Sequence, residues 1–180
     1  KIGELLINDI DEKSVNLFMQ EFGAISQEQK ELIELSDAVI LAVKPNHIES
    51  VIQDNLSAFK EKQLIISIAA GIKTNTIEKM LKGKGHVVRV MPNTPSLVGQ
   101  GVTAIASNKL IPDHDIDLVK QIFDSIGKTY IVEEKYMDAV TAISGSGPAY
   151  VYLLVEALIN AGVLIGLDKN LSKDLVLNTI

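Results

Sequence analysis

Apolar runs of strand length alternate with amphipathic segments along most of this chain, and that alternation constrains its fold more than any other feature. It is the pattern of parallel strands joined by crossover helices. Residues 5–8 read as a short strand and residues 11–22 as a helix, with Asp11 near its N-cap and Gly23 just past its end. A shorter helix is read over residues 27–35. Residues 38–43 (AVILAV) contain no polar side chain, which predicts a central strand buried on both faces, stopped by Pro45 because proline has no N–H to donate. A helix over 48–59, a strand over 64–69, a turn at Gly71, a helix over 76–81 and a strand over 86–91 follow.

After Pro92 the pattern changes. A strand over 101–106, a helix over 116–126 and an edge strand over 129–132 precede a stretch that reads as helical from Tyr136, broken at residues 144–148 and at Gly166. The reading is therefore α/β, with residues 1–132 as an α/β domain and residues 133–180 as a helical one.

Composition narrows the function classes. The 180 residues are 47% hydrophobic and 22% charged, with a net charge of -6 and the charges interspersed, so an anionic polymer or membrane surface is not the expected partner. Aromatic residues make up 4% and Trp is absent, which argues against base stacking on nucleic acid. Zero Cys excludes disulfides and thiolate chemistry. No signal peptide is visible, and a cytoplasmic small-molecule protein is the expectation. His47, His86 and His114 lack metal-ligand spacing, so no metal is expected. The acidic run Asp113, Asp115 and Asp117 reads as a solvated helix start.

In a doubly wound sheet, ligands bind beyond the carboxyl ends of the strands. Three such ends carry unusual loops here: Ala42-Val43-Lys44-Pro45, Ala69-Ala70-Gly71, and Met91-Pro92-Asn93-Thr94-Pro95. By spacing alone Lys44 reads equally as a solvated lysine before a turn, and the small residues at 69–71 equally as tight packing. Two prolines around Asn93 and Thr94 predict a rigid loop suited to hydrogen-bonding a polar ligand edge. The turn Ser144-Gly145-Ser146-Gly147-Pro148 predicts a helix start with Pro148 at its first position and the N–H groups of Ala149 and Tyr150 as free donors for an anionic or polar ligand, the alternative being a plain hinge. Residues 149–167 hold only Glu156 and Asn160 as clearly polar side chains. With a Glu inside the run, glycines at 162 and 166 and no flanking basic cluster, the run predicts packing against a second subunit rather than a membrane span.

AVKP at 42–45, MPNTP at 91–95 followed by VGQG at 98–101, and DAVTAISGSGPAYV at 138–151 closely resemble pyrroline-5-carboxylate reductase, in order along nearly the whole chain. The resemblance implies an N-terminal Rossmann-type domain, a helical domain that builds a homodimer or higher homo-oligomer, and reduction of 1-pyrroline-5-carboxylate to L-proline by NADPH or NADH in proline biosynthesis. It implies that Ala42, Val43, Lys44, Pro45, Ile68, Ala69 and Ala70 line the nicotinamide and its ribose, that Asn8 meets the adenosine ribose, and that Ser144, Gly145, Ser146, Gly147 and Pro148 border the imine. No residue is singled out as catalytic, and NADPH is not distinguished from NADH, although Asp9 after Asn8, with no Arg beside it, weakens a 2′-phosphate clamp. The family's glycine-rich turn is expected between Gly3 and Glu4, where about one βα unit is missing, and its substrate-carboxylate loop beyond Ile180; a chain lacking both is not expected to be active. Gln29 stands where the family usually has Asn toward the cofactor ribose. The alternatives are another Rossmann-type reductase of the β-hydroxyacid dehydrogenase group, whose catalytic lysine has no counterpart in residues 138–151, and a non-catalytic protein that keeps the dinucleotide fold.

Overall fold

The computed structural model describes residues 3–108 and 110–180; the resemblance makes Lys1-Ile2-Gly3 the start of the family's first strand, and of these Lys1 and Ile2 lie outside the described residues. Five strands form one sheet in the order β3 (Ala38–Leu41), β4 (Leu64–Ser67), β5 (His86–Met91), β6 (Gly101–Ser107), β7 (Gly127–Ile131). The pairs β3–β4, β4–β5 and β6–β7 are parallel. β5–β6 is antiparallel, because a short 3-10 turn at Thr94–Val98 joins them in place of a crossover helix. A separate parallel pair, β1 (Leu6–Ile7) with β2 (Ile25–Ser26), flanks helix α1 (Glu12–Phe22).

Local signals set α1. The Asp11 carboxylate accepts from the N–H groups of Lys13 and Ser14, and Gly23 takes the left-handed conformation (φ 65°) that ends the helix. Helices α2 (Gln29–Leu35), α3 (Ile48–Asp54) and α4 (Thr74–Met80) cover one face of the sheet, where Ile33, Ile52 and Ile77 pack on Val39, Leu41, Ile65 and Val87. Helix α5 (Asp113–Asp124) covers the other, with Val119 and Phe123 on Leu64, Ile66, Val88, Val90 and Ile105. Helix α3 stops five residues before the expected Phe59. The Asn55 amide turns back to the Val51 carbonyl (2.9 Å), the local competition by which Asn ends helices.

Two expectations are corrected. The AVILAV strand is not central: β3 lies at the sheet edge and Ile40 is 47% exposed, while the strand buried along its whole length is β4. Asp115 is not part of a solvated turn; it is buried, and its carboxylate meets His86 Nδ1 at 2.6 Å, a pairing made across 29 residues of sequence.

From Glu134 onward the chain is helical: a 3-10 turn (Glu134–Tyr136), α6 (Met137–Val140), a π-turn (Thr141–Gly145), α7 (Gly147–Leu164) and α8 (Lys169–Thr179). Met137 is fully buried against Ala104 and Ala106, with Met91 and Val140 beside it, which seats this body on the face of β5 and β6 next to α4. The whole is a Rossmann-type α/β body followed by a helical one. The run from Glu134 to Leu164 is long and apolar enough to cross a membrane by length and composition, and almost none of its apolar window is covered by the chain itself.

Candidate active site

Parallel pairing brings the ends of β3 and β4 level, since Leu41 stands opposite Ser67. Ala42, Lys44 and Pro45 are exposed just beyond β3, Val43 is half-buried against the core, and Pro45 opens a 3-10 turn closed by the His47 N–H on the Lys44 carbonyl (2.9 Å). Beside them, Ile68 extends the ladder to the Leu41 carbonyl (3.3 Å), Ala69 is buried with its N–H on Ser67 Oγ (3.3 Å), and Ala70 is exposed. At Gly71 (φ 77°) an added Cβ would meet nothing within 4 Å, so open space lies along this backbone. Small side chains, exposed backbone and open space at adjacent strand ends fit the flat ring and ribose of a dinucleotide. Asn8 stands apart from these residues. Its amide donates to the Gln27 carbonyl (2.8 Å), tying β1 to β2, and it lines a separate open cavity of about 520 Å³ together with Asp9, Glu12, Met19 and Glu28. Gln29 is also committed within the fold, accepting from the Asn55 amide (3.1 Å).

The turn at Ser144 to Pro148 is half-buried and lies at the end of β5. It is not the free helix start expected from its glycines. The Ser146 N–H reaches back five residues to the Thr141 carbonyl (2.8 Å), and the Ala149 N–H donates to the Ser146 carbonyl (3.0 Å). Helix thus runs through the turn as a π-bulge, a form common at functional sites, and Ala149 has no free donor to offer a ligand. Gly147, not Pro148, is the first residue of α7. A Cβ at Gly145 would stand 3.1 Å from Met91 Cε, so the turn lies close against the end of β5.

Asn93 joins the two loops. Its Oδ1 accepts from the Val102 N–H (2.8 Å) and its Nδ2 donates to the Ser144 carbonyl (3.1 Å), so the MPNTP loop grips the π-turn with the amide expected to face a ligand. Ser144 Oγ is enclosed there without a hydrogen-bond partner among the described residues. Of the expected site residues, those at 42–45, 68–70 and 144–148 gather at three neighbouring strand ends, and Asn8 does not join them.

Sequence reasoning missed the polar frame behind this corner. Arg89, in the middle of β5, is 1% exposed; its Nη2 meets Asp138 Oδ1 at 3.1 Å and its Nη1 lies 3.8 Å from Glu134 Oε1. The Glu134 carboxylate accepts from both the N–H and the Oγ of Thr74, each at 2.6 Å, and so caps α4 from 60 residues away. The available signal was a lone Arg inside the apolar run HVVRVM, since a buried charge needs partners. Among the described residues no group of three or more His, Asp or Glu side chains is placed to hold a metal.

Residues 134–180 match the family model described as pyrroline-5-carboxylate reductase dimerisation, and residues 3–71 match the one described as NADP oxidoreductase coenzyme F420-dependent. The chain is 41% identical over 156 residues to a pyrroline-5-carboxylate reductase of Synechocystis, covering 87% of this chain and 58% of that protein. A structure of 1-pyrroline-5-carboxylate reductase from Streptococcus pyogenes superposes with a TM-score of 0.87 at 33% identity, covering 98% of this chain and 67% of that one. One of a Plasmodium falciparum pyrroline carboxylate reductase with NADP bound superposes with a TM-score of 0.78 at 43% identity, covering 88% and 61%. The chain thus spans about one half to two thirds of the length of the relatives it matches.

Proposed function

Because the chain belongs to the pyrroline-5-carboxylate reductase family, we propose that it forms the cofactor and dimerisation parts of an NAD(P)H-dependent enzyme that reduces 1-pyrroline-5-carboxylate to L-proline. The observation that carries this reading is the corner at which the MPNTP loop and the Ser144–Gly145 turn lock together, beside the open strand ends of β3 and β4.

In this reading residues 1–132 bind the dinucleotide and residues 133–180 build the dimer and border the substrate. Ala42, Val43, Lys44 and Pro45 with Ile68, Ala69 and Ala70 hold the nicotinamide and its ribose, and Asn8 the adenosine ribose. When bound, the reduced nicotinamide supplies a hydride to a C=N bond. The protein's part is orientation and electrostatics, since a cyclic imine accepts hydride most readily as its iminium and needs no protein nucleophile. Ser144, Gly145, Ser146, Gly147 and Pro148 form the wall against the imine. The exposed Tyr150, Leu153, Leu154 and Leu158 of α7 are covered by a second copy of the chain, in the cytoplasm, and neither membrane nor nucleic acid is a partner.

Steady-state assays following NADPH and NADH absorbance test the reading. Oxidation is expected with 1-pyrroline-5-carboxylate and not with open-chain hydroxy acids; the reverse pattern overturns it. The Gly147→Val variant tests the wall. An added Cβ at Gly147 meets nothing within 4 Å among the described residues, so folding is expected to survive while turnover falls steeply. Unchanged kinetics would make the turn a hinge only.

A further inference from the structure

Resting on the reading of this corner as the substrate wall, we propose that Asn93 is a positioning residue that holds the π-turn in register. The argument starts from Pro148. In a regular helix the Ser144 carbonyl would accept from the N–H of residue 148, and proline has none. The next N–H, that of Ala149, is bonded to Ser146. The Ser144 carbonyl is therefore left without its helical donor at a half-buried site, where an unpaired carbonyl is costly. Asn93 Nδ2 supplies the donor from the other body of the protein (3.1 Å). The other end of the same amide is fixed by the Val102 N–H (2.8 Å) at the start of β6, and the loop that carries it is stiffened by Pro92 and Pro95. A neighbouring carbonyl of the turn, that of Ala142, takes its side-chain donor from Tyr150 Oη on the exposed side (3.1 Å). Asn93 is thus the tie between the turn and the sheet, and it sets where Ser144 and Gly145 stand relative to the end of β5. It acts on the substrate through the turn and not by contact.

The Asn93→Asp variant separates the two bonds. Aspartate keeps an acceptor for the Val102 N–H and loses the donor to Ser144, so the loop stays anchored while the turn is released. In the complete polypeptide, hydrogen–deuterium exchange is expected to rise about 10-fold or more across residues 141–147 and to stay unchanged at Val102. The kcat/KM for the imine is expected to fall by about 10- to 100-fold, as displacements near 1 Å do, with the Kd for NADH or NADPH within about twofold of wild type. Wild-type exchange across 141–147 overturns the proposal, and so does faster exchange with unchanged kcat/KM, which would make the tie structural only. A wild-type protein that does not reduce the imine overturns the functional reading instead, and the exchange experiment still decides whether Asn93 holds the turn. Should Asn93→Ala, which loses both bonds, fail to fold, the Asp variant carries the test alone.

Discussion

Replacing Gly162 by alanine sets two opposed effects against each other at the crossing of α7 and α8. Alanine is the better helix former by about 1 kcal/mol, so propensity alone predicts stabilisation. The packing predicts the opposite. A Cβ at Gly162 would run into Ser172 Oγ and stand 3.1 Å from Ser172 Cβ, and Ser172 is almost wholly buried, with its hydroxyl donating to the Ile159 carbonyl at 2.8 Å. To make room the hydroxyl must give up that bond and remain enclosed without a partner, at about 1–3 kcal/mol. The residual contact between the two Cβ atoms adds an overpacking cost of about 1 kcal/mol. The sum is a net destabilisation of about 1–3 kcal/mol, or a Tm lower by roughly 2–12 °C for a protein of this size. The Ser172→Ala variant removes the nearest clashing atom, so the double variant is expected to lose at least about 1 kcal/mol less than the two single losses summed. Urea melts of all four proteins at one fixed protomer concentration measure the cycle, because assembly contributes to apparent stability. A Gly162→Ala protein as stable as wild type would refute the reasoning and show that the two helices slide apart at little cost.

Glu134→Ala removes both bonds that cap α4 and one carboxylate of the buried Arg89, and is expected to cost about 2–4 kcal/mol in urea melts; a loss under about 0.5 kcal/mol would sink the idea of a remote cap. Leu154→Glu and Leu158→Glu, at positions 54% and 42% exposed in the single chain, are expected to lower assembly in light scattering and activity together, and a fully active monomer would contradict the proposed interface. Hydrogen bonds from Ser14 and then Lys13 hold the Asp11 carboxyl below its usual value, and Lys120 and then Thr129 do the same for Asp124. Because these folded values are depressed, the stability they contribute is present above the ordinary carboxylate value near pH 4 and is lost as pH falls through the lower folded values. Melts taken from about pH 5 to pH 2 should lose part of that acid slope in Asp11→Ala, and an unchanged slope would contradict the assignment.

Local signals were legible and tertiary ones were not. The Asp11 cap, the Gly23 stop and the buried runs of β4 and β5 follow from side chains acting on their own neighbourhood. β2, with two residues, is too short for any period to show. The SGSGP turn was legible as special but not in its form, since Gly and Pro in a row signal a break, and what bridges the break is Asn93, 51 residues away. Asp115 was misread for the same reason: its partner His86 is on another element. The strand-end loops of the candidate site were visible because chain-stiffening prolines stand out in any sequence, whereas the Arg89 frame needed the fold to bring Glu134 and Asp138 within reach.

The turn at residues 141–145 and the exposed apolar face of α7 belong to one nearly continuous helical run, Glu134–Leu164, and so to one mechanical member. From Leu158 to Ser144 is 14 residues, or about 21 Å of helix at roughly 1.5 Å per residue. Were the far end pivoted by about 5°, the near end would travel on the order of 2 Å, beyond the roughly 1 Å within which a reacting pair must be held. The π-turn is the natural flexure in such a lever, and the Asn93 tie is the load its near end bears against the sheet. In the proposed dimer a neighbour seated on the apolar face would bear on the far arm, and a change of packing there would reach the proposed substrate wall as a displacement rather than as a lost contact.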